Sequence, residues 1–201
     1  MLLCSTPIMH MISADSYLAP AFPLRNRILR LAWGVVHTLL FRPSPRPAHA
    51  WRRFLLRSFG AAIGNNCHIY PGAQIWAPWN LSCGDVVAIA DGAIIYNPSL
   101  ITLGSHATIS QEVYLCGATH DYEVPEFPLI SAEISVGAFA WICARATVQP
   151  GISVGEGAVL ALGSIATRNL EPWSVYAGVP ARKIKIRSMK GKQNVSTRQN
   201  G

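Results

Sequence analysis

From Ile63 onwards, aliphatic or small apolar side chains return every six residues along the chain. They stand at positions 63, 69 and 75, then 83, 89 and 95, then 103, 109 and 115, then 136, 142 and 148, and finally 154, 160 and 166. Thirteen of these fifteen residues are Ile, Leu or Val, the exceptions being Cys83 and Ala166, so chance does not explain the pattern. A six-residue period matches neither a helix nor a simple series of hairpins, and it is typical of a hexapeptide parallel β-helix.

The repeats group into triplets, and three hexapeptides form one triangular coil of such a β-helix. Each aliphatic side chain would point into the prism and stack on its equivalent one coil away, about 4.8 Å along the axis. Five triplets therefore predict an all-β domain of about five coils. Two extra residues separate the first triplets, and many more separate Leu115 from Val136, where the six-residue register resumes. We therefore predict that residues 116–135 form an external loop.

Before the repeats the apolar pattern becomes helical. Apolar residues recur at the spacing of an amphipathic helix, with Arg27, Arg30 and His37 off the stripe. The members of that stripe are Ile28, Leu31, Ala32, Val35, Val36, Leu39 and Leu40. The prolines at 43, 45 and 47 end this helix, and a shorter helix is predicted at 48–59. We favour packing of both helices on the β-helix, and docking on a membrane surface stays open as the alternative.

The formal net charge of +7 is unevenly distributed. The β-helix region, 61–181, is acidic, whereas the N-terminal arm and helices, 1–60, and the C-terminal tail, 182–201, are basic. We take these three segments as the organisation of the chain. An acidic body argues against a nucleic-acid-binding core. The basic ends are either solvated or suited to phosphate-bearing ligands or anionic lipid.

The cysteines and the N-terminal residues indicate the cellular compartment of the protein. The cysteines at 4, 67, 83, 116 and 143 fit neither a zinc spacing nor a short disulfide framework, which indicates reduced thiols. The first residues, "MLLCSTPIMHMIS", lack the pattern of a signal peptide, and the uncharged run at 31–41 is shorter than the about 20 residues that span a bilayer. We predict a cytoplasmic protein, with a location peripheral to the inner membrane left open.

Several segments resemble the hexapeptide-repeat acyltransferases that fold as a left-handed parallel β-helix. Within this family the chain is most similar to galactoside and maltose O-acetyltransferases and to acetyltransferases of colanic acid and other exopolysaccharide biosynthesis. The resemblance covers roughly 24–187 and is carried by "WRRFLLRSFGAAIG" (51–64), "APWNLSCGD" (77–85), "IIYNPSLITLG" (94–104), "THDY" (119–122), "AWICARATVQPGISVGEGAVLALGSIATRNL" (140–170) and "AGVPARKIK" (177–185). It implies a homotrimer with active sites between subunits.

Acetyl transfer from a thioester to a sugar hydroxyl requires removal of the hydroxyl proton, for which histidine is suited. The resemblance implies that His120, in the long loop, is the general base and that transfer is direct, without an acyl-enzyme. It also places Asn97 near the acceptor or the reacting centre, although a turn role before Pro98 fits equally well. Asp121, Tyr122 and Trp79 are candidate sugar contacts. Neighbouring side chains of an extended run point apart, so direct pairing of Asp121 with His120 is not expected.

The coenzyme A side is implied by matches in the last coils. Trp141 and Ala144 match the strand that lines the pantetheine groove in the family. The remaining coenzyme-binding candidates are Leu162, Gly163, Ser164, Thr167, Arg168, Arg182 and Lys185, whose basic members would meet the adenine and phosphate end. Cys143 and Leu162 depart from the usual Gly and Ala, which would narrow or displace the groove. No metal is expected, because the zinc enzymes that share this fold use three histidines and His120 has none nearby in sequence.

The sequence therefore predicts an acetyl-CoA-dependent O-acetyltransferase that modifies a sugar or glycan precursor in exopolysaccharide or lipopolysaccharide biosynthesis. Two alternatives remain: an N-acyltransferase of an amino-sugar nucleotide, and a non-catalytic β-helix scaffold. The identity of the acceptor is not specified by any motif.

Overall fold

Three sheets, parallel except for the last strand of the second, form the sides of a triangular prism in the computed structural model, which describes residues 9–11 and 20–188. The first face contains Ala62–Ile63, Leu81–Cys83, Ile101–Leu103, Ile134–Val136 and Ser153–Val154. The second face contains His68–Ile69, Ala88–Ile89, Thr108–Ile109, Trp141–Ile142, Val159–Leu160, Ser174–Ala177 and Arg182–Ile186. The third face contains Gln74–Ile75, Ile94–Tyr96, Tyr114–Cys116, Thr147–Val148 and Ile165–Ala166. The chain is a left-handed parallel β-helix, as predicted.

The fifteen six-residue positions form the core of the prism. All are buried, and each pairs in register with its equivalent on the next coil, as Ile95 does with Leu115 on the third face. Five full coils match the prediction. A sixth, incomplete coil follows, in which Leu170 bridges to Val154 and Tyr176 pairs with Leu160.

Glycine at the start of a corner lets neighbouring coils approach closely. A Cβ atom added to Gly104 would lie 2.5 Å from the backbone nitrogen of Ala138, and the backbone cannot move aside without breaking the coil register. This close approach explains why glycine so often follows the aliphatic position.

We expect Gly104→Ala to lower the free energy of unfolding by about 1–3 kcal/mol, because the added methyl overpacks a fixed backbone. Urea unfolding followed by circular dichroism measures this. Gly34→Ala is the matched control: no atom lies within 4 Å of its added Cβ, so the helix is unchanged or slightly stabilised. Equal stability of both variants would contradict the close-packed corner.

Helix α1 (Leu24–Val36) packs on the third face through the side that carries Trp33, not through its apolar stripe. Its Trp33 is buried and donates Nε1–H to the Ile75 carbonyl at 2.7 Å. A π-helical turn, His37–Phe41, continues the helix, and a His37 ring nitrogen lies 3.0 Å from the Ala73 carbonyl. Both helices pack on the β-helix, as favoured from the sequence, but α1 does so mainly through Trp33: of the apolar stripe, Val36 alone packs against the core, and most of the stripe faces outwards.

Helix α2 (His49–Ser58) closes the open end of the first coil. Leu55 and Leu56 are buried against the first coil. Arg52 is fully buried, and it donates to the Ile69 carbonyl at 2.5 Å and the Arg46 carbonyl at 2.6 Å. Burial lowers the pKa of Arg52, and these carbonyl acceptors stabilise its charge. The guanidinium therefore ties α2 to the first strands of the prism.

The additional residues all lie at the corner that follows the third face. On the first coil they form a 3₁₀ turn, Pro78–Asn80. On the third coil they form the predicted external loop, which contains an antiparallel hairpin of Ala118–His120 and Leu129–Ser131. The strand His10–Met11, from the predicted irregular arm, pairs with the second hairpin strand.

The basic C-terminal segment begins inside the sheet. Arg182–Ile186 pairs antiparallel with Ser174–Ala177, so the predicted tail boundary at 182 is too early by at least these five residues. Residues 189–201 of that segment, like 1–8 and 12–19 of the arm, lie outside the described residues.

Candidate active site

The hairpin presents His120 in a defined orientation. Its Nδ1 lies 2.9 Å from the carbonyl oxygen of Phe127, and its ring stacks on the Phe127 ring with centroids 4.3 Å apart. A carbonyl oxygen only accepts hydrogen bonds, so Nδ1 must carry the proton. The lone pair of the neutral ring is therefore on Nε2, which is the arrangement that a general base requires.

The hairpin tip is shaped by Asp121 rather than by a His–Asp pair. The Asp121 carboxylate accepts from the backbone N–H of Glu123 at 3.1 Å, and its own N–H donates to the Pro128 carbonyl at 3.0 Å. This turn sets the course of the loop and uses one carboxylate oxygen. Tyr122 beside it is 81% exposed, so its ring is available at the tip.

Asn97 lies at the corner one coil below the hairpin and is fully buried. Its Nδ2 donates to the Ala77 carbonyl at 2.7 Å and the Asn80 carbonyl at 2.9 Å. Its Oδ1 accepts from the Ala77 N–H at 2.9 Å. Backbone groups thus occupy both ends of its amide, a geometry that fits the structural turn role.

Trp79 stands two coils below the hairpin, about 10 Å along the axis. It lines a cleft of about 520 Å³ together with Pro23, Leu29 and Phe59 from the helical segment. The structure does not bring Trp79 to His120.

The first group of predicted coenzyme residues lies on the second face and at the corner that follows it. Trp141 is 46% exposed and donates Nε1–H to the Ser110 hydroxyl at 2.9 Å. On the next coils the Gly163 N–H donates to the Ala144 carbonyl at 3.1 Å. Gly163 has φ +63° and open space around its Cα, and Leu162 beside it is 72% exposed. This edge therefore carries small residues, at which the backbone itself lines the surface, and one projecting side chain, that of Leu162.

The "AGVPAR" segment folds over the last strand of the third face. The Gly178 N–H donates to the Ser164 hydroxyl at 3.0 Å, and the Ala181 N–H donates to the Ile165 carbonyl at 2.8 Å. The buried Ser164 hydroxyl therefore holds this segment in place. Exposed Arg182 follows Ala181 directly, next to the residue that bonds to Ile165.

The remaining coenzyme candidates lie around this end of the prism without converging on one point. Thr167 and Arg168 follow the last strand of the third face, at its opposite edge from Leu162. Lys185 lies on the final strand opposite Val175 and is exposed. Cys143 is buried, and burial raises the pKa of its thiol, whereas the side chain of Leu162 is exposed.

Sequence reasoning missed an aromatic column on the outer side of the third face. Trp76 and Tyr96 occupy equivalent positions on successive coils, with ring centroids 5.5 Å apart, and Cys116 continues the column to the hairpin. The Arg30 guanidinium of α1 lies 4.0 Å from the Trp76 ring centroid. Burial raises the pKa of Tyr96. The twenty-residue spacing of the two aromatics was the available signal.

A cleft of about 280 Å³ lies between α1 and this column. Arg30, Trp76 and Tyr96 contribute to its lining, so one basic and two aromatic side chains face the same space. Within 9–11 and 20–188, no group of three or more His, Cys, Asp or Glu is arranged to hold a metal ion.

Comparison with known proteins gives relatives at substantial identity. No protein-family model matches the chain. The chain is 36% identical over 162 residues to the colanic acid biosynthesis acetyltransferase WcaF of Escherichia coli K12, which covers 81% of this chain and 89% of the relative.

Solved structures repeat the fold at lower identity. A hexapeptide-repeat acetyltransferase of Vibrio cholerae superimposes with a TM-score of 0.76 at 22% identity, covering 83% of this chain and 95% of the other. The Vibrio protein has also been solved with acetyl coenzyme A. A galactoside acetyltransferase in complex with coenzyme A gives 0.75 at 24% identity, covering 83% and 84%. These likenesses show the fold, and the identity to WcaF over most of both chains shows the family: the chain belongs to the hexapeptide-repeat acetyltransferases.

Proposed function

We propose that this acetyltransferase moves the acetyl group of acetyl-CoA to a hydroxyl of a sugar or glycan precursor of exopolysaccharide or lipopolysaccharide. The observation that carries the proposal is the bond from His120 Nδ1 to the Phe127 carbonyl, which leaves Nε2 as the base. Support for the substrate class comes from the names of the relatives, one of which is assigned to colanic acid biosynthesis and another to galactosides.

The proposed transfer is direct. Nε2 of His120 accepts the proton as the acceptor hydroxyl oxygen bonds to the thioester carbonyl carbon. The carbon–sulfur bond then breaks, and the proton held on His120 passes to the leaving coenzyme A thiolate, so no acyl-enzyme forms. General base assistance of this kind contributes about 10²–10⁴-fold to rate.

The aromatic column is the proposed platform for the acceptor. Trp76 and Tyr96 offer apolar ring faces to a sugar ring, and Arg30 offers a fixed positive charge beside them. The column ends at Cys116, where the hairpin that carries His120 begins. Asp121 and Tyr122 at the hairpin tip complete the proposed acceptor contacts.

The coenzyme is proposed to follow the edge from Trp141 past Leu162–Ser164 to Arg182. We also propose a homotrimer in which a neighbouring subunit closes this edge. Sedimentation equilibrium tests the assembly: three times the chain mass is expected, and a monomer that retains full activity contradicts it.

We expect Arg182→Ala to raise the KM for acetyl-CoA about tenfold while kcat stays unchanged, because a charge-assisted contact to phosphate contributes roughly 1.5–3 kcal/mol. Lys183→Ala is the matched control on the same strand, since Lys183 is already engaged by Glu171 at 2.6 Å. Steady-state kinetics at saturating acceptor compare the two. An equal effect of both substitutions would contradict a specific phosphate contact at Arg182.

The function is tested by an acceptor screen with acetyl-CoA, in which free thiol release is measured over nucleotide sugars and glycan fragments. Thiol release with hydroxyl acceptors is expected. Release only with amino-sugar acceptors would assign the protein to N-acylation, and absence of acetyl-CoA binding by calorimetry would favour a scaffold.

A further inference from the structure

The outward side of α1 is an unusual surface for a solvated helix. Five large apolar side chains spaced by three or four residues lie on that side of α1 and of the π-helical turn that continues it, and all are more than half exposed. They are Leu24 (66%), Ile28 (57%), Leu31 (71%), Val35 (52%) and Leu39 (65%). The inward side is occupied by Trp33 and the bonds to the third face, so the helix cannot turn this stripe inwards without losing them.

The apolar surface continues onto α2. Trp51 donates Nε1–H to the Leu40 carbonyl at 3.0 Å and stacks on Phe54 at 5.7 Å between ring centroids. Phe54 is 57% exposed and Leu40 46%. We call these five side chains together with Leu40, Trp51 and Phe54 the cap patch. An exposed patch of this many large apolar side chains marks an interaction surface.

Positive charge borders the cap patch. Residues 20–60 contain eight arginines and no acidic residue. At 3.6 residues per turn, Arg25 and Arg27 lie on opposite edges of the stripe. Arg27 lines an open cleft of about 740 Å³ together with Leu31 and Val35, which places its charge beside the apolar surface. Among the described residues, Arg46 is the one arginine of this segment that forms an ion pair, with Asp91.

We propose that the cap patch docks the protein on the surface of a bilayer that contains anionic phospholipid. Leucine, valine and aromatic side chains enter the boundary between headgroups and acyl chains, and the bordering arginines meet lipid phosphates. In the described part of the chain no helix is long and apolar enough to cross a membrane, and docking in the plane of the surface requires none.

A bilayer fits the cap patch better than a second copy of the same patch does. Two copies related by a twofold axis would bring arginine-bordered surfaces together, and residues 20–60 supply no carboxylate to pair with them. Lipid phosphates supply the opposite charge along the whole border.

Docking would bring the proposed acceptor site close to the bilayer. Helix α1 packs on the third face, and the same face leads through Tyr114–Cys116 to the hairpin of His120. If the proposed function holds, the acceptor that fits this arrangement is a glycan attached to a lipid anchor.

Vesicle flotation of the full chain tests docking without reference to activity. Vesicles of phosphatidylcholine with about one third phosphatidylglycerol are compared with pure phosphatidylcholine, at low and high salt. We expect flotation with the anionic vesicles and weaker flotation at high salt. The double variant Leu31→Glu, Val35→Glu should reduce the vesicle-bound fraction at least about tenfold, because it removes two apolar insertions and adds like charge to phosphate.

Ile186→Glu is the matched control, an equally drastic change at a 73% exposed side chain on the final strand. It should float like the unaltered protein. Circular dichroism and acetyl-CoA binding must be equal in all three proteins. Absence of flotation with anionic vesicles, equal flotation of the double variant, or a lower oligomeric mass of that variant would overturn lipid docking, the last result assigning the cap patch to a protein interface.

Activity assays separate this inference from the proposed function. The double variant should acetylate a soluble glycan acceptor normally and lose activity on the same glycan anchored in anionic vesicles. Loss of both activities, with folding and coenzyme binding intact, would contradict a role confined to docking.

Discussion

Replacing His120 by Ala should lower kcat by about 10²–10⁴-fold while acetyl-CoA binding stays unchanged, because the substitution removes the base and leaves the coenzyme edge intact. His120→Asn sharpens the test: an asparagine can still donate to the Phe127 carbonyl, but its amide cannot take up the hydroxyl proton at neutral pH. Both variants should therefore be equally inactive. Stopped-flow or steady-state thiol release measures kcat, and calorimetry measures coenzyme affinity.

His68→Ala is the control for this experiment. His68 is an exposed histidine whose ring also stacks on an aromatic neighbour, His49, with centroids 4.9 Å apart, and it lies on the first coil of the second face. It should retain full kcat. Activity of His120→Ala within a factor of a few of the unaltered protein would remove the general-base mechanism.

Replacing Asn97 by Leu should lower the free energy of unfolding by about 3 kcal/mol or more. The substitution leaves Ala77 N–H, Ala77 C=O and Asn80 C=O without their buried partner, and each buried unsatisfied group costs roughly 1–3 kcal/mol. Thermal and urea unfolding measure this loss. Asn65→Ala, at an exposed corner, is the control and should change stability little.

The Asn97 variant also separates the two roles that the sequence left open. A structural role predicts that the folded fraction keeps its kcat and KM per molecule. A fall in kcat of Asn97→Leu with an unchanged unfolding transition would indicate that Asn97 acts at the reacting centre.

The prism was predictable from sequence because the six-residue spacing of apolar residues follows directly from its geometry. Each of the fifteen six-residue positions points inwards, so burial alone selects an aliphatic residue there. The external loop was predictable for the same reason, since the register that stops at Leu115 resumes at Val136.

The side on which α1 packs was not predictable from its apolar stripe. The helix is held by Trp33, which donates to the Ile75 carbonyl, and by His37, which contacts the Ala73 carbonyl. These partners lie about forty residues away in sequence, and the apolar periodicity of the helix does not predict them. The burial of Arg52 was likewise not predictable from the sequence, because a fully buried guanidinium becomes stable only when folding gathers carbonyl acceptors around it.

The candidate site was predictable in its parts and not in its geometry. Resemblance selected His120, but its tautomer depends on the Phe127 carbonyl across the hairpin. Resemblance also selected Asn97, whose amide is occupied by residues of the preceding coil. The first contact crosses the hairpin and the second joins equivalent corners of successive coils, and a motif read along the chain reveals neither.

Mass spectrometry of the acceptor after incubation with acetyl-CoA tests the central claim most directly. The unaltered protein should convert a glycan or nucleotide sugar to an acetyl ester that hydroxylamine cleaves, and His120→Ala should form almost none. An acetyl amide that resists hydroxylamine, or equal ester formation by His120→Ala, would contradict an O-acetyltransferase that works through His120.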